Sequence, residues 1–426
     1  MEPLNDLEKD SKNTEINTLS KKIKIIFGLI ILIIIILIVV IIIVAATKKT
    51  EIVEKIIEKE SEQKTEELIN WKLYGTILYN LSYSQNGKII NSFKETGPNY
   101  NKSMGIINEG RDYDENERNI YDLYIPYYAT KRNNEYNGII LFIHGGSWIG
   151  GEKEGMDEFC KMYAQMGYIT ATMGYTLLNG KYKDYNIFRI LDEITSCIEN
   201  IKKELIDRGF KEDKLQIAIA GYSAGAHLTL LYTYLMKNSP IEIKFALNLC
   251  GPVSLEPKYF YKLAKENDTL DDLYLPEIEK ALETNRIIRI EDNDSTLLWF
   301  MNIFIGSKYT QEQLNEMLFE NKKINVNSEK YKELFNVVTN AFPSNIDDIN
   351  KIPTICLYGG NDNVVGVTQF AYIYEKAKND GKIMSYIYSR YAGHMFLDFE
   401  TDNGVNAMRE MNYRIVNFSK TYFDCD

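Results

Sequence analysis

The segment LQIAIAGYSAGAHL, Leu215–Leu228, decides how the rest of the chain is read. Leu215–Ala220 is an apolar run that reads as a strand ending at Gly221. A helical stretch follows it through Leu235. Between them lies Gly221-Tyr222-Ser223-Ala224-Gly225, a G-x-S-x-G pentapeptide. A serine hydroxyl is a poor nucleophile until it is exposed beside a base. A tight strand-to-helix turn lifts it out of the sheet, and small residues two positions either side leave room for that turn. The helix N-terminus offers backbone N–H groups to a developing oxyanion. A chance match to so short a pattern is common, so the strand before it and the helix after it carry the weight.

Working outward, the chain from about Ile120 alternates short apolar runs with helical stretches. Tyr121–Ile125, Gly138–Ile143, Tyr168–Met173, Phe245–Leu249, Thr354–Tyr358 and Ser385–Tyr391 read as strands. Phe188–Ile206 carries Ile190, Leu191, Ile194, Ile198, Ile201 and Leu205 on one helical stripe. A last helix is expected over about Asn403–Phe418. Continuously apolar strands alternating with helices predict an α/β fold, a mostly parallel sheet covered on both faces. In such a sheet the site lies beyond the carboxyl ends of the strands.

Three further elements fall just after strands. His144-Gly145-Gly146-Ser147-Trp148 follows Gly138–Ile143, 79 residues before Ser223. Its glycines let the backbone approach a substrate and turn an N–H toward it. Gly145 or Gly146 is therefore one candidate oxyanion donor, and Ala224 the other. Asp362, in the turn Gly359–Val365, follows the strand Thr354–Tyr358. An Asp in a Gly-Asn turn is often only turn chemistry, but here it faces the same edge as Ser223. His394 lies 32 residues later, after the last strand. A base needs one ring nitrogen toward the serine and the other toward an acid. His144 belongs to the Gly-Gly loop. His227 is four residues beyond Ser223 on the same helix, expected to point away from the strand ends. The chain has three histidines, and His394 alone follows the acid.

The set Ser223, Asp362, His394 resembles the α/β-hydrolase fold, whose triad runs in the order Ser, Asp, His. HGGSW and GYSAGAH are similar to the esterase/lipase branch that includes carboxylesterases, arylformamidases and isoprenylcysteine methylesterases. YDLYIP, Tyr121–Pro126, is similar to the early strand of that branch. The resemblance covers about Asn116 to the C-terminus. It implies Ser223 as nucleophile, Asp362 as acid, His394 as base and Gly145, Gly146 and Ala224 as the oxyanion hole. It implies a serine hydrolase of small carboxylic esters with no metal or organic cofactor. The loop reads His-Gly-Gly-Ser-Trp rather than His-Gly-Gly-Gly, which favours small-ester or formamide hydrolases over lipases. An amide-type reaction such as arylformamidase or peptidase activity uses the same triad and stays open. So does a binding or adhesion protein on the same fold, although such proteins usually lose a triad member.

The region Pro252–Ile352, about 100 residues, is longer than a simple connection. It is expected to hold helices covering the site. Trp299, Phe300, Phe304, Phe319 and Phe335 are candidates for an acyl pocket, or simply pack those helices together. Trp148 is expected to pack beside the oxyanion loop.

The N-terminal part is different. Ile25–Ala46 is a run of 22 residues without a charge. A helix of that length reaches about 33 Å, enough for a bilayer core of about 30 Å. The run is too long for a signal peptide, although Ala45-Ala46-Thr47 is a weak cleavage site. A single-pass anchor is expected, preceded by a polar tail (1–24) and followed by a charged helical stalk (47–70), with the hydrolase domain over 71–426. Five lysines flank the run on each side, so charge does not decide its orientation. The stalk has the pairs Glu51–Lys55 and Glu60–Lys64, and its apolar residues sustain too few heptads to specify a coiled coil.

Composition bounds the rest. The 426 residues are 45% hydrophobic and 26% charged, with a net charge of -11. This excludes a disordered or collagen-like chain. No basic stripe appears, so nucleic acid is not an expected partner. Five cysteines, at 160, 197, 250, 356 and 425, match neither a disulfide framework nor a zinc ribbon. The oligomeric state is not readable from these features.

Overall fold

Alternation along the strands shows how the core is divided. Ile139, Leu141, Ile143, Ile217 and Ile219 belong to one buried apolar cluster, and Ile140, Phe142, Ala218 and Ala220 to another. Successive strand side chains point to opposite faces, so a strand apolar at every position must be covered on both sides. The computed structural model describes residues 102–106 and 118–423, less short stretches of which the longest are 130–135, 269–274, 347–351 and 395–401. All of them lie in the unit Trp71–Asp426.

The central sheet has eight strands: β1 (Lys102–Ile106), β2 (Ile120–Tyr124), β3 (Ile139–Ile143), β4 (Ile169–Met173), β5 (Gln216–Tyr222), β6 (Glu242–Leu249), β7 (Thr354–Gly359) and β8 (Met384–Ser389). Their order is β1-β2-β4-β3-β5-β6-β7-β8. β2 runs antiparallel to β1 and β4, and every other pairing is parallel. In register, Ile143 faces Gly221, Tyr222 faces Leu249, Leu249 faces Leu357 and Gly359 faces Ser389. With Ile143 also facing Met173 of β4, the carboxyl ends of six parallel strands share one edge.

One face is covered by α1 (Asp157–Gln165) and α9 (Asp402–Tyr422). Phe159, Cys160 and Tyr163 from α1, and Met411, Ile415 and Val416 from α9, join Phe142, Phe245 and Leu357 there. The other face carries α2 (Ile187–Asp207), α3 (Ala224–Leu235) and α8 (Ala371–Asn379). The stripe expected on α2 is buried in full, from Ile190 to Leu205. Asn186 caps this helix, its side-chain oxygen accepting from the backbone N–H of Phe188 and Arg189 at 3.0 and 3.3 Å. The cysteines at 160, 197, 250 and 356 are buried in these layers, and burial pushes the Cys356 thiol up to about 12.

Between β6 and β7 lie α4 (Leu275–Glu283), α5 (Asn293–Phe304), α6 (Gln311–Leu318) and α7 (Glu329–Val338). Short ribbons pair Tyr261–Leu263 with Ile287–Arg289 and Phe319–Glu320 with Lys323–Ile324. The long connection thus carries four helices and two short ribbons among its described residues. Its Leu297, Leu298, Met301, Leu314, Leu334 and Phe342 join the apolar cluster of α2 and α3.

Within the described residues each strand and helix read from the sequence is present to within a few residues, and β1, α1, α8 and the two short ribbons are additional to that reading. The tail 1–24, the apolar run 25–46 and the stalk 47–70 lie outside the described residues. Among the described residues no helix is long and apolar enough to cross a membrane.

Phe142 lies between the sheet and α1, with its ring 5.7 Å from those of both Phe159 and Tyr163. Phe142→Ala is expected to destabilise the protein by about 3–5 kcal/mol in urea unfolding followed by tryptophan fluorescence. A loss below about 1 kcal/mol would contradict this layer packing.

Candidate active site

The turn after β5 is strained and closely backed. Ser223 has φ 53° and ψ −120°, a region that residues with a Cβ rarely occupy. Its N–H donates to Leu249 O at 2.9 Å, and its carbonyl accepts from Ala226 and His227 N–H at 3.0 and 3.1 Å. Gly225 makes the turn fit. A Cβ there would lie 2.1 Å from the carbonyl oxygen of Ile143 and 2.5 Å from that of His144. The first turn of α3 therefore rests on the end of β3, and the two glycine motifs meet in space.

Ser223, His394 and Asp362 form one hydrogen-bonded chain. Asp362 is fully buried, and His394 is 17% exposed. Nδ1 of His394 lies 2.8 Å from Asp362 Oδ2, and Nε2 lies 2.9 Å from Ser223 Oγ. An ionised carboxylate only accepts, so Nδ1 carries the proton and Nε2 is left to accept from the serine hydroxyl. Asp362 is fixed from behind, because Oδ1 accepts from the N–H groups of Val364 and Val365, both at 2.8 Å. The loops bearing acid and histidine are joined by Asn361 N–H donating to Ala392 O at 3.1 Å. Tyr222, the variable residue before Ser223, donates its hydroxyl to His394 O at 3.0 Å and places its ring 5.3 Å from the imidazole. Sequence reading passed over Tyr222, because a position free to vary in a motif gives no signal of its own.

The loop after β3 lies against the serine. A Cβ on Gly145 would sit 3.0 Å from the Cβ of Ser223. Gly146, Ser147 and Trp148 follow with φ of 117°, 53° and 61°, three successive residues on the left-handed side. Gly146 O accepts from Ile149 and Gly150 N–H at 3.1 and 2.8 Å. Beyond it, the buried Lys153 ammonium reaches Asp122 Oδ2 on β2 at 2.8 Å and also pairs with Glu154. Arg118 holds Glu152 at 2.8 Å and the carbonyl of Gly151. Ala224 opens α3, and a first-turn N–H has no partner within its own helix. Gly145 thus lies against Ser223, Gly146 is the next residue of the same loop, and Ala224 follows Ser223 as the first residue of α3.

The other two histidines are held neutral. Burial lowers His144 and His227 to about 4 each. His144 Nδ1 donates to Gly145 O at 2.6 Å, and its ring stacks on Tyr175 at 4.2 Å. His227 Nε2 lies 2.7 Å from Ala341 O, and its Nδ1 lies 3.3 Å from the indole nitrogen of Trp148. The expectation that His227 only points away along its helix missed this contact with the Gly-Gly loop. Of the insert aromatics, Phe300 and Phe304 pack edge-on around Trp148 at 5.1 and 4.8 Å. Trp299 packs on Phe300, and Phe335 lies beside Tyr331 and Phe342. Phe319 is partly buried against the main apolar cluster.

The crossing of α3 over β3 leaves no volume at residue 225. Gly225→Ala is expected to cost about 1–3 kcal/mol of stability from overpacking against backbone, read by urea unfolding. A fully stable variant would mean that the two motifs do not touch as described.

Residues 121–254 match the BD-FAE family model, an α/β-hydrolase-like domain. The match includes the Gly-Gly loop and the Ser223 turn and stops before Asp362 and His394. No curated protein matches the chain. Among solved structures, the chain is similar to esterase B from Lactobacillus Rhamnosis at 14% identity over 83% of this chain and 98% of that one, with a TM-score of 0.49. A truncated carbohydrate esterase from gut microbiota matches at 15% identity over 75% and 99%, with a TM-score of 0.47. A thermophilic esterase from the Planctomycetes species Thermogutta terrifontis matches at 14% identity over 76% and 94%, with a TM-score of 0.45.

Proposed function

We propose that the protein is a serine hydrolase of small carboxylic esters. The observation that carries this reading is the chain Ser223 Oγ, His394, Asp362, with contacts of 2.9 and 2.8 Å at the carboxyl edge of the sheet. His394 takes the hydroxyl proton as Ser223 attacks the carbonyl carbon. Asp362 fixes the tautomer and stabilises the imidazolium. The tetrahedral oxyanion is held by backbone N–H groups at Gly145 or Gly146 and at Ala224. Proton transfer from His394 releases the alcohol, and water cleaves the acyl-enzyme by the same route. The BD-FAE match supports the first half of this machinery, since it ends at residue 254. The reading requires no cofactor. Its partner is a small-molecule ester.

We further propose that residues 25–46 anchor this activity to a membrane as a single-pass span, with 47–70 as stalk and 71–426 as the hydrolase domain. The support is the unbroken apolar run of 22 residues. The full chain is expected in the membrane pellet after alkaline extraction, and a chain lacking 25–46 in the supernatant. Recovery of the full chain in the supernatant would refute the anchor.

Two measurements test the chemistry. A fluorophosphonate probe is expected to label the full chain, and Ser223→Ala to abolish the label. Absence of any label on the wild type would remove the enzyme reading and favour a binding protein on this fold. Turnover of short p-nitrophenyl esters is expected to exceed that of N-formyl aryl amides, and the reverse order would make the protein a formamidase.

Asp362→Asn tests the acid in particular. The Oδ1 position must still accept from two backbone N–H groups, so the amide nitrogen of Asn would face His394. It would donate to Nδ1, move the ring proton to Nε2 and deprive Ser223 of its base. A fall in kcat of about 10⁴-fold is expected, with the fold intact by circular dichroism. Retention of kcat would remove Asp362 from the mechanism.

A further inference from the structure

The residue motif that the proposed chemistry does not use is the pair His227 and Trp148. Trp148 ends the run of three left-handed residues that begins at Gly146, and it is 3% exposed. Such backbone persists only where its surroundings over-determine it. Three contacts do so. The Trp148 carbonyl accepts from Leu178 N–H at 2.8 Å. Its indole is enclosed by His227, Phe300 and Phe304, with ring centroids at 5.1, 5.1 and 4.8 Å. Its Nε1–H points to His227 Nδ1 at 3.3 Å.

The chemistry of this contact fixes the tautomer of His227. An indole nitrogen only donates, so Nδ1 must present its lone pair. The proton then sits on Nε2 and is donated to Ala341 O at 2.7 Å. Ala341 belongs to the insert, as do Phe300 and Phe304. His227 lies one helical turn beyond Ser223 on α3. One neutral imidazole therefore joins the nucleophile helix, the Gly-Gly loop and the insert. With Ala341 O in place, the Nε2 proton is favoured and the Nδ1 lone pair is kept for Trp148.

We propose that His227 and Trp148 form a positioning strut for the oxyanion hole, through which the docked insert sets the catalytic competence of the Gly-Gly loop. The proposal rests on the serine-hydrolase reading above. Neither residue touches the reacting atoms. Their effect passes through the placement of Gly145 and Gly146, and a misplacement of an ångström in such a site can slow the reaction by about 100-fold.

The test uses the full chain, hydrolysis of p-nitrophenyl acetate, and active sites counted by the endpoint of fluorophosphonate labelling. Counting sites separates poor folding from poor catalysis. His227→Leu and Trp148→Phe are each expected to lower kcat per labelled site at least about 10-fold, with KM changed less than about 3-fold. The double variant is expected to be no slower than either single one, because both remove the same contact. His227→Gln keeps one acceptor and one donor and is expected to recover most of the loss. Unchanged kcat per labelled site, or losses that multiply in the double variant, would overturn the strut and leave the hydrolase reading standing. Absence of label on the wild type would instead overturn the hydrolase reading.

Discussion

A serine with a Cβ held at φ 53° is the constraint on which the site depends. Such a conformation costs roughly 1–3 kcal/mol and relaxes unless its neighbours forbid it. Here the neighbours are backbone. Leu249 O takes the Ser223 N–H, and Gly225 lies directly on the carbonyls of Ile143 and His144. The turn cannot flatten without driving α3 through the end of β3. Because β3 and β5 are adjacent and parallel, the same crossing brings the loop after β3 against Ser223. The side-by-side position of Ser223 and the Gly-Gly loop is thus a property of two neighbouring strands and one missing Cβ.

Electrostatics then sort the histidines. A catalytic base must become charged in the transition state, so it needs a carboxylate behind it and some access to water. His394 has both, with Asp362 at 2.8 Å and 17% of its side chain exposed. His144 and His227 have neither. Burial lowers both to about 4, so near neutral pH each is an uncharged ring with fixed donor and acceptor roles. A neutral imidazole is well suited to bridging an N–H and a carbonyl, and that is how the structure uses His227.

The legibility of the chain follows the same physics. β3, β5 and β7 were readable because a strand buried on both faces is largely apolar throughout, β4 because its apolar residues alternate with threonine, and the turns after them carry glycine. The stripe of α2 was readable because one face alone is buried. The helix Asp157–Gln165 was not read, since its sequence DEFCKMYAQ is short and mixes charged with apolar residues. β1, KSMGI, has neither an apolar run nor a strict alternation. The insert could be anticipated as helical from its length, but not its contacts. The placement of Phe300 and Phe304 on Trp148 depends on how α5 docks, and no local pattern encodes that. Ser223, Asp362 and His394 were legible because each follows a strand in a fixed order. The contacts of Tyr222 and His227 join segments about 170 and 114 residues apart, and spacing alone could not reveal them.

That last difference bears on how the site is built. The residues proposed to do chemistry sit on strand ends, where the sheet places them independently of the insert. The contacts that hold the Gly-Gly loop divide into two groups. Lys153 with Asp122, and Arg118 with Glu152, tie its far end to the sheet. Trp148 ties its near end to α3 and to the insert. The sheet-side ties are ion pairs, one buried (Lys153 with Asp122) and one exposed (Arg118 with Glu152), and neither involves a residue of the insert. The other tie runs from Trp148 through a 3.3 Å hydrogen bond to His227 on α3, on from His227 to Ala341 O of the insert at 2.7 Å, and through ring contacts with Phe300 and Phe304 of α5. The loop proposed to receive the oxyanion is therefore held by ion pairs on its sheet side and, through Trp148, by α3 and the insert together, so its placement depends on two separately folded parts of the domain.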